Sequence, residues 1–206
     1  MEIILLSPEG FKWDEVAIVN RLFHAGLQRY HLRKKGFSIA DYRRYLSCLD
    51  EAYLPRVVLH GGGFGLYDEF DLAGIHLSTA DRMNGDIRQQ ISHVPSAKIS
   101  TSFHAWSEIS HDSTDYGYVF ISPVFDSISK TSYQAAVDLR GLGVLRRKFE
   151  DKERHCPRIV ALGGVDSPHL PILKQYKFDG AAIYGAIWKS AHPDAVFERI
   201  LAAAHY

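Results

Sequence analysis

"RIVALGG" (158–164) is an apolar run that ends in two glycines, and "GAAIYGAI" (180–187) follows with the same design. Both lack strict alternation of apolar and polar residues, so each reads as a strand buried on both faces. Six similar runs precede them: "EIILLS" (2–7), "QRYHLRKK" (28–35), "RVVLH" (56–60), "AGIHLS" (73–78), "AKISTSF" (97–103) and "YGYVFISPVF" (116–125). Amphipathic stretches fill several of the gaps. "WDEVAIVNRLFHAG" (13–26) has acidic residues in its first turn and Gly26 past its end. "SIADYRRYLSCLDEAYL" (38–54) starts at Ser38, an N-cap residue. "DSPHLPILKQYKF" (166–178) and "PDAVFERILAAA" (193–204) also read as helices, the second opening on Pro193. Eight strand–helix units of about 25 residues each give an α/β chain, a single-domain (β/α)8 TIM barrel over residues 1–206. A doubly wound open sheet is the competitor, but it usually has fewer strands and no G-x-G-x-x-G follows the first run.

Composition narrows the class further. Twenty-four Lys and Arg balance twenty-four Asp and Glu, so no overall field argues for nucleic acid or an anionic membrane surface. The first residues carry neither a basic segment nor an apolar stretch long enough for a signal peptide, and no segment reaches membrane-spanning length. Cys48 and Cys156 stand in no metal or redox spacing and read as two small buried hydrophobes. The expectation is a cytoplasmic protein acting on small molecules, with no nucleic-acid or membrane partner. Eleven histidines are many for this length.

In such a barrel, function gathers where the strands end. With period two, His31, Arg33 and Lys35 share one face of the second run, and Ser100, Ser102 and His104 share one face of the fifth. Ser127, Ser129 and Lys130 follow the sixth run, hydroxyls and a cation on one turn. Gly163 and Gly164 end the seventh run, and Tyr184 and Gly185 end the eighth. Paired glycines there match the recurrent phosphate site of these barrels, built from backbone N–H groups. Any one of these features alone reads as a solvated charge or a tight turn. Their coincidence on one barrel face favours an anion site.

The segments "YHLRKKG", "AGIHLSTAD", "STSFHAWSEI", "DYGYVFISPVFDSISK", "IVALGGV" and "DGAAIYGAIW" resemble the family of thiamin phosphate synthase and the thiazole tautomerase TenI, in register from about residue 28 to the C-terminus. "SPVFDSISK" is the most specific piece. The resemblance implies a TIM barrel and a thiamin-biosynthesis enzyme. A synthase would couple hydroxymethylpyrimidine diphosphate to thiazole phosphate and release pyrophosphate. It would use Mg2+ and would work as a homo-oligomer. The resemblance places Arg33, Lys35, Ser102 and Lys130 on the diphosphate, Asp81 on magnesium, and Ser127 and Ser129 toward the thiazole phosphate. Gly163, Gly164, Tyr184 and Gly185 would hold that phosphate. His104, Lys130 and Arg33 would be the catalytic set.

Two positions depart from the synthase pattern. "LHGGGFG" (59–65) falls where synthases carry an Asn-Asp pair, so His60 would face pyrophosphate or pyrimidine and Gly61 would replace a magnesium carboxylate. The stretch is expected to be a loop, with Asp68 or Asp71 able to fold back. A lipase-type oxyanion hole is ruled out because no G-x-S-x-G elbow accompanies it. His31 stands where synthases usually have a Gln that reads the pyrimidine. These departures keep open a tautomerase that needs no cofactor and uses His104 as acid and base to aromatise a thiazole carboxylate phosphate. A non-catalytic thiazole-phosphate-binding barrel is a third alternative, and an unrelated phosphosugar isomerase a fourth.

Overall fold

The computed structural model describes residues 1–206 except Phe11, Trp13, residues 127–135 and Tyr206. Eight parallel strands form one closed barrel in sequence order. They are β1 (Glu2–Leu6), β2 (Arg29–Leu32), β3 (Val57–His60), β4 (Gly74–Leu77), β5 (Ile99–Phe103), β6 (Tyr118–Ile121), β7 (Arg158–Leu162) and β8 (Gly180–Ile183). Every apolar run of the sequence holds one strand, trimmed at its ends. β6 stops at Ile121 because Pro123 has no N–H to offer a ladder.

The near-continuous apolar runs follow from burial on two sides. Ile3, Leu5, Tyr30, Leu32, Leu59, Ile75, Val119, Ile159, Ala181 and Ile183 face outward into the main core under the helices. Ile4, Tyr118, Phe120, Val160 and Ala182, with Leu6 and Leu162, form a second cluster inside the barrel. Helix α1 (Glu15–His24) buries Ile18, Val19, Leu22 and Phe23, one stripe at helical spacing. The C-terminal helix, Pro193–His205, packs beside it, tied by the exposed Arg21–Asp194 pair at 3.0 Å.

Three local readings need correction. Residues 38–54 are not one helix. Ser38 does cap helix α2 (Ile39–Leu46) through a capping box with Asp41, but Asp50 then starts a separate 3-10 helix over Glu51–Arg56. Residues 61–66 of the glycine-rich stretch form a 3-10 helix, Gly61–Leu66, whose Phe64 and Leu66 are buried. Cys48 is exposed, although Cys156 is partly buried. No helix among the described residues is long and apolar enough to cross a membrane.

Candidate active site

The barrel interior is lopsided. From β6 round to β1 it is lined by Phe120, Val160, Leu162, Ala182, Ile4 and Leu6. From β2 to β5 the inward positions are His31, His60, His76, Ser100 and Ser102. The register puts His60 opposite His76 and His76 opposite Ser100, while His31 pairs with Val58 and so sits one layer deeper.

These side chains form a hydrogen-bonded network. His31 Nδ1 lies 2.8 Å from His60 Nε2, and His31 Nε2 lies 2.6 Å from the Tyr118 hydroxyl. His76 is held at both nitrogens, by Ser100 Oγ and Ser102 Oγ, each at 2.9 Å. The His60 and His76 rings stack with centroids 4.2 Å apart. His31 is fully buried, His76 is 3% exposed and His60 is 9% exposed, so only His60 reaches the rim. Burial disfavours the imidazolium in all three. It pushes His76 down to about 3, helped by the charges of Arg33 and Arg82. It also holds His31 well below the usual histidine range, with His76 and Arg29 adding to the shift. His60 is lowered likewise, with contributions from His76, His31 and Arg33. The cluster is therefore neutral at physiological pH.

Around the rim, Arg33 is exposed and pairs with Glu9 at 3.6 Å. Its charge acts on His60, His76 and Tyr184, which places it at the mouth. Arg82 lies behind Ser102, its guanidinium 3.1 Å from Asp112 and 4.3 Å from the centroid of the Phe103 ring. His104 is exposed, and its Nδ1 lies 2.9 Å from the Ser122 carbonyl. Gly163 and Gly164 have φ of +96° and +65°, the left-handed region that favours glycine. A Cβ on Gly164 would stand 2.2 Å from the Asp126 carbonyl oxygen, so this turn demands glycine twice over. Tyr184 precedes the short helix Gly185–Trp188 at the end of β8.

The residues match the model of the family described as thiamine monophosphate synthase over positions 4–187. The chain belongs to that family. Thiamine-phosphate synthase 1 of Streptococcus pneumoniae is 26% identical over 178 residues, 82% of this chain and 80% of that protein. Thiamine-phosphate synthase of Vibrio parahaemolyticus is 24% identical over 193 residues, 89% of this chain and 88% of that protein. Among solved structures, a thiamine phosphate pyrophosphorylase from Bacteroides thetaiotaomicron superposes with a TM-score of 0.75 at 28% identity, covering 100% of this chain and 98% of the other. One from Pyrococcus furiosus shares the fold, with a TM-score of 0.77 at 16% identity and coverage of 99% and 95%.

Within this family member, the sequence-marked residues do not all come together. His60 lies at the rim with Arg33 above it, His31 lies one layer deeper and bonds His60, and Ser102 joins them through His76. Lys35 is exposed in the turn after β2, beyond the point where strand alternation applies. Ser127, Ser129 and Lys130 lie outside the described residues. Asp81 has one carboxylate oxygen engaged in a helix cap. It is the third residue of a short helix, and its Oδ2 accepts the Ser78 N–H at 2.8 Å in a capping box. Asp68 pairs with His93 at 2.9 Å, and Asp71 lies in a surface groove with Leu46 and Pro55, so neither replaces the carboxylate missing at Gly61.

Two buried polar groups near the site escaped the sequence reading. His76 stands between Ile75 and Leu77 in a run that looks wholly apolar, yet period two from Gly74 turns it inward. Lys34 faces the other way. Its Nζ contacts Glu15 at 2.5 Å and the carbonyls of Pro8 and Gly10 at 2.8 and 2.9 Å, and both Lys34 and Glu15 side chains are fully buried.

Proposed function

We propose that the protein is a thiamin phosphate synthase, joining hydroxymethylpyrimidine diphosphate to thiazole phosphate with release of pyrophosphate. The observation that carries this reading is the two-sided mouth of a barrel of this family. Cationic and hydroxyl groups stand at the ends of β2 and β5, and left-handed glycines stand across the barrel at the end of β7. Two anionic substrates can thus be held on opposite walls with their reacting atoms between them.

In this reading Arg33, Lys35, Ser102 and Lys130 meet the diphosphate. Their positive charge and hydrogen bonds stabilise the negative charge that grows on the leaving group. The backbone of Gly163, Gly164, Tyr184 and Gly185 holds the thiazole phosphate, with Ser127 and Ser129 on the same side. His60 touches substrate at the rim, and His31 acts through it from below. His104, with Nδ1–H donated to the Ser122 carbonyl, keeps Nε2 as a proton acceptor. The residues present do not fit the magnesium site that the resemblance implies. Magnesium takes oxygen ligands in an octahedral array, whereas position 61 is glycine, Asp81 caps its own helix and the mouth offers imidazoles. No step is derived through that ion.

Two variants test the walls separately. Arg33→Ala should raise KM for the pyrimidine diphosphate about 10- to 100-fold, the worth of a hydrogen bond to a charged group. It should leave KM for thiazole phosphate nearly unchanged. Gly164→Val should do the reverse, weakening thiazole phosphate at least about tenfold by calorimetry, because its side chain would collide with the Asp126 carbonyl. Equal effects of both variants on both substrates would place the two anions wrongly. A tautomerase would instead show itself by aromatising the thiazole carboxylate phosphate in a reaction that His104→Ala abolishes.

A further inference from the structure

His31, His60 and His76 come from three successive strands, and one nitrogen of each lies within 4.8 Å of the other two. We propose that these three imidazoles bind one divalent transition-metal ion of the zinc, cobalt or nickel class, with His31 Nδ1 and His60 Nε2 as two of the donors and a nitrogen of His76 as the third. The proposal stands on the side chains alone and does not depend on the synthase reading.

The donor chemistry selects the ion. Imidazole nitrogen suits borderline metals such as zinc, cobalt and nickel, while magnesium and calcium require oxygen. The spacing of His31 and His60 suits it as well. Tetrahedral bonds of about 2.05 Å put neighbouring donor atoms roughly 3.3 Å apart. His31 Nδ1 and His60 Nε2 are now at 2.8 Å, a hydrogen bond that a metal would replace by a separation of about half an ångström more.

The surroundings are those a histidine ligand needs. A ligating imidazole is normally oriented by a partner on its other nitrogen. His31 has the Tyr118 hydroxyl at Nε2, and His76 has Ser100 or Ser102 at whichever nitrogen does not bind. Burial keeps the rings neutral, so each has one nitrogen free of a proton, and the hydrogen that bridges His31 Nδ1 and His60 Nε2 need only move by a change of tautomer to that ring's other nitrogen. The positive charge of Arg33 and Arg82 opposes a cation. Each is offset by its own carboxylate, Glu9 at 3.6 Å and Asp112 at 3.1 Å. Three protein ligands leave a further coordination position. It would open toward His60 and the mouth, where water or an anionic phosphate oxygen can reach it.

The test is a titration of untagged, chelator-stripped protein with Co2+, read by visible absorption and independent of turnover. The expected result is saturation at one equivalent, with d–d bands of a four- or five-coordinate nitrogen site. Zn2+ should displace the ion, and millimolar Mg2+ should not. His60→Ala and His76→Ala should each weaken Co2+ by at least about a hundredfold, and Tyr118→Phe by about tenfold. Should His76→Ala fail to fold, His60→Ala at the rim decides the matter. No saturable band, a band unchanged in His60→Ala, or equal competition by Mg2+ would overturn the proposal and leave a hydrogen-bonded cluster of neutral imidazoles.

Discussion

Acidifying the metal-free protein from pH 7 to pH 4 is expected to unfold it cooperatively, with His31, His60 and His76 as the main cause. All three are buried and neutral in the fold, and all titrate near 6.5 once exposed. Below that value the unfolded chain takes up protons that the folded chain refuses, so stability falls as pH falls. For His76 the loss runs from about 6.5 down to about 3. Each such group loses up to about 1.4 kcal/mol per pH unit in its window, so three lose up to about 4. A typical domain holds only about 5–15 kcal/mol in reserve. Above about pH 7.5 the three contribute no slope. Denaturant midpoints between pH 4 and 8 test this. A variant carrying His76→Gln should show a shallower dependence by about one proton, and an unchanged wild-type midpoint between pH 7 and 5 would contradict the neutral cluster.

Glu15→Ala should destabilise the fold by about 3–5 kcal/mol. Glu15 accepts from Lys34 Nζ and from the hydroxyls of Tyr30 and Tyr45, at 2.8 and 2.7 Å. Removing it leaves a fully buried ammonium without its counter-charge, and burial already pulls Lys34 down from the ordinary lysine range. The consequence reaches the mouth. Lys34 fixes the end of β2 to the loop before α1, and Arg33 is its neighbour in the chain. Replacing both partners together with methionine should cost much less than Glu15→Ala alone. A cost below about 1 kcal/mol for Glu15→Ala in urea would show that the pair does not anchor this corner.

The barrel was legible because its strands obey one simple rule. Segments buried on both sides lack polar alternation, and eight such segments stand at regular spacing. The same alternation turned His31 and Ser102 inward correctly. It also applied to His76, but a lone histidine flanked by Ile75 and Leu77 looks like part of an apolar strand until its neighbours across the sheet are known. The meeting of His31, His60 and His76 depends on barrel register, which no local pattern encodes. Glu15 misled for a related reason. An acid in the first turn of a helix reads as a dipole partner, and only the tertiary fold reveals Lys34 against it. Asp81 carried a double signal, since a residue three positions after Ser78 can cap a helix as readily as it can hold a metal. The glycine-rich stretch after β3 reads as a loop through its resemblance to a site loop of the synthases, yet burial of Phe64 and Leu66 stabilises a 3-10 turn there.

The central claim is the coupling reaction, and one measurement addresses it most directly. The purified protein is incubated with hydroxymethylpyrimidine diphosphate, thiazole phosphate and Mg2+, and the mixture is assayed by chromatography for thiamin phosphate and for pyrophosphate. Both products should form in equal amounts, and neither should form when one precursor is left out. Protein that binds both precursors yet yields no thiamin phosphate would contradict the assignment.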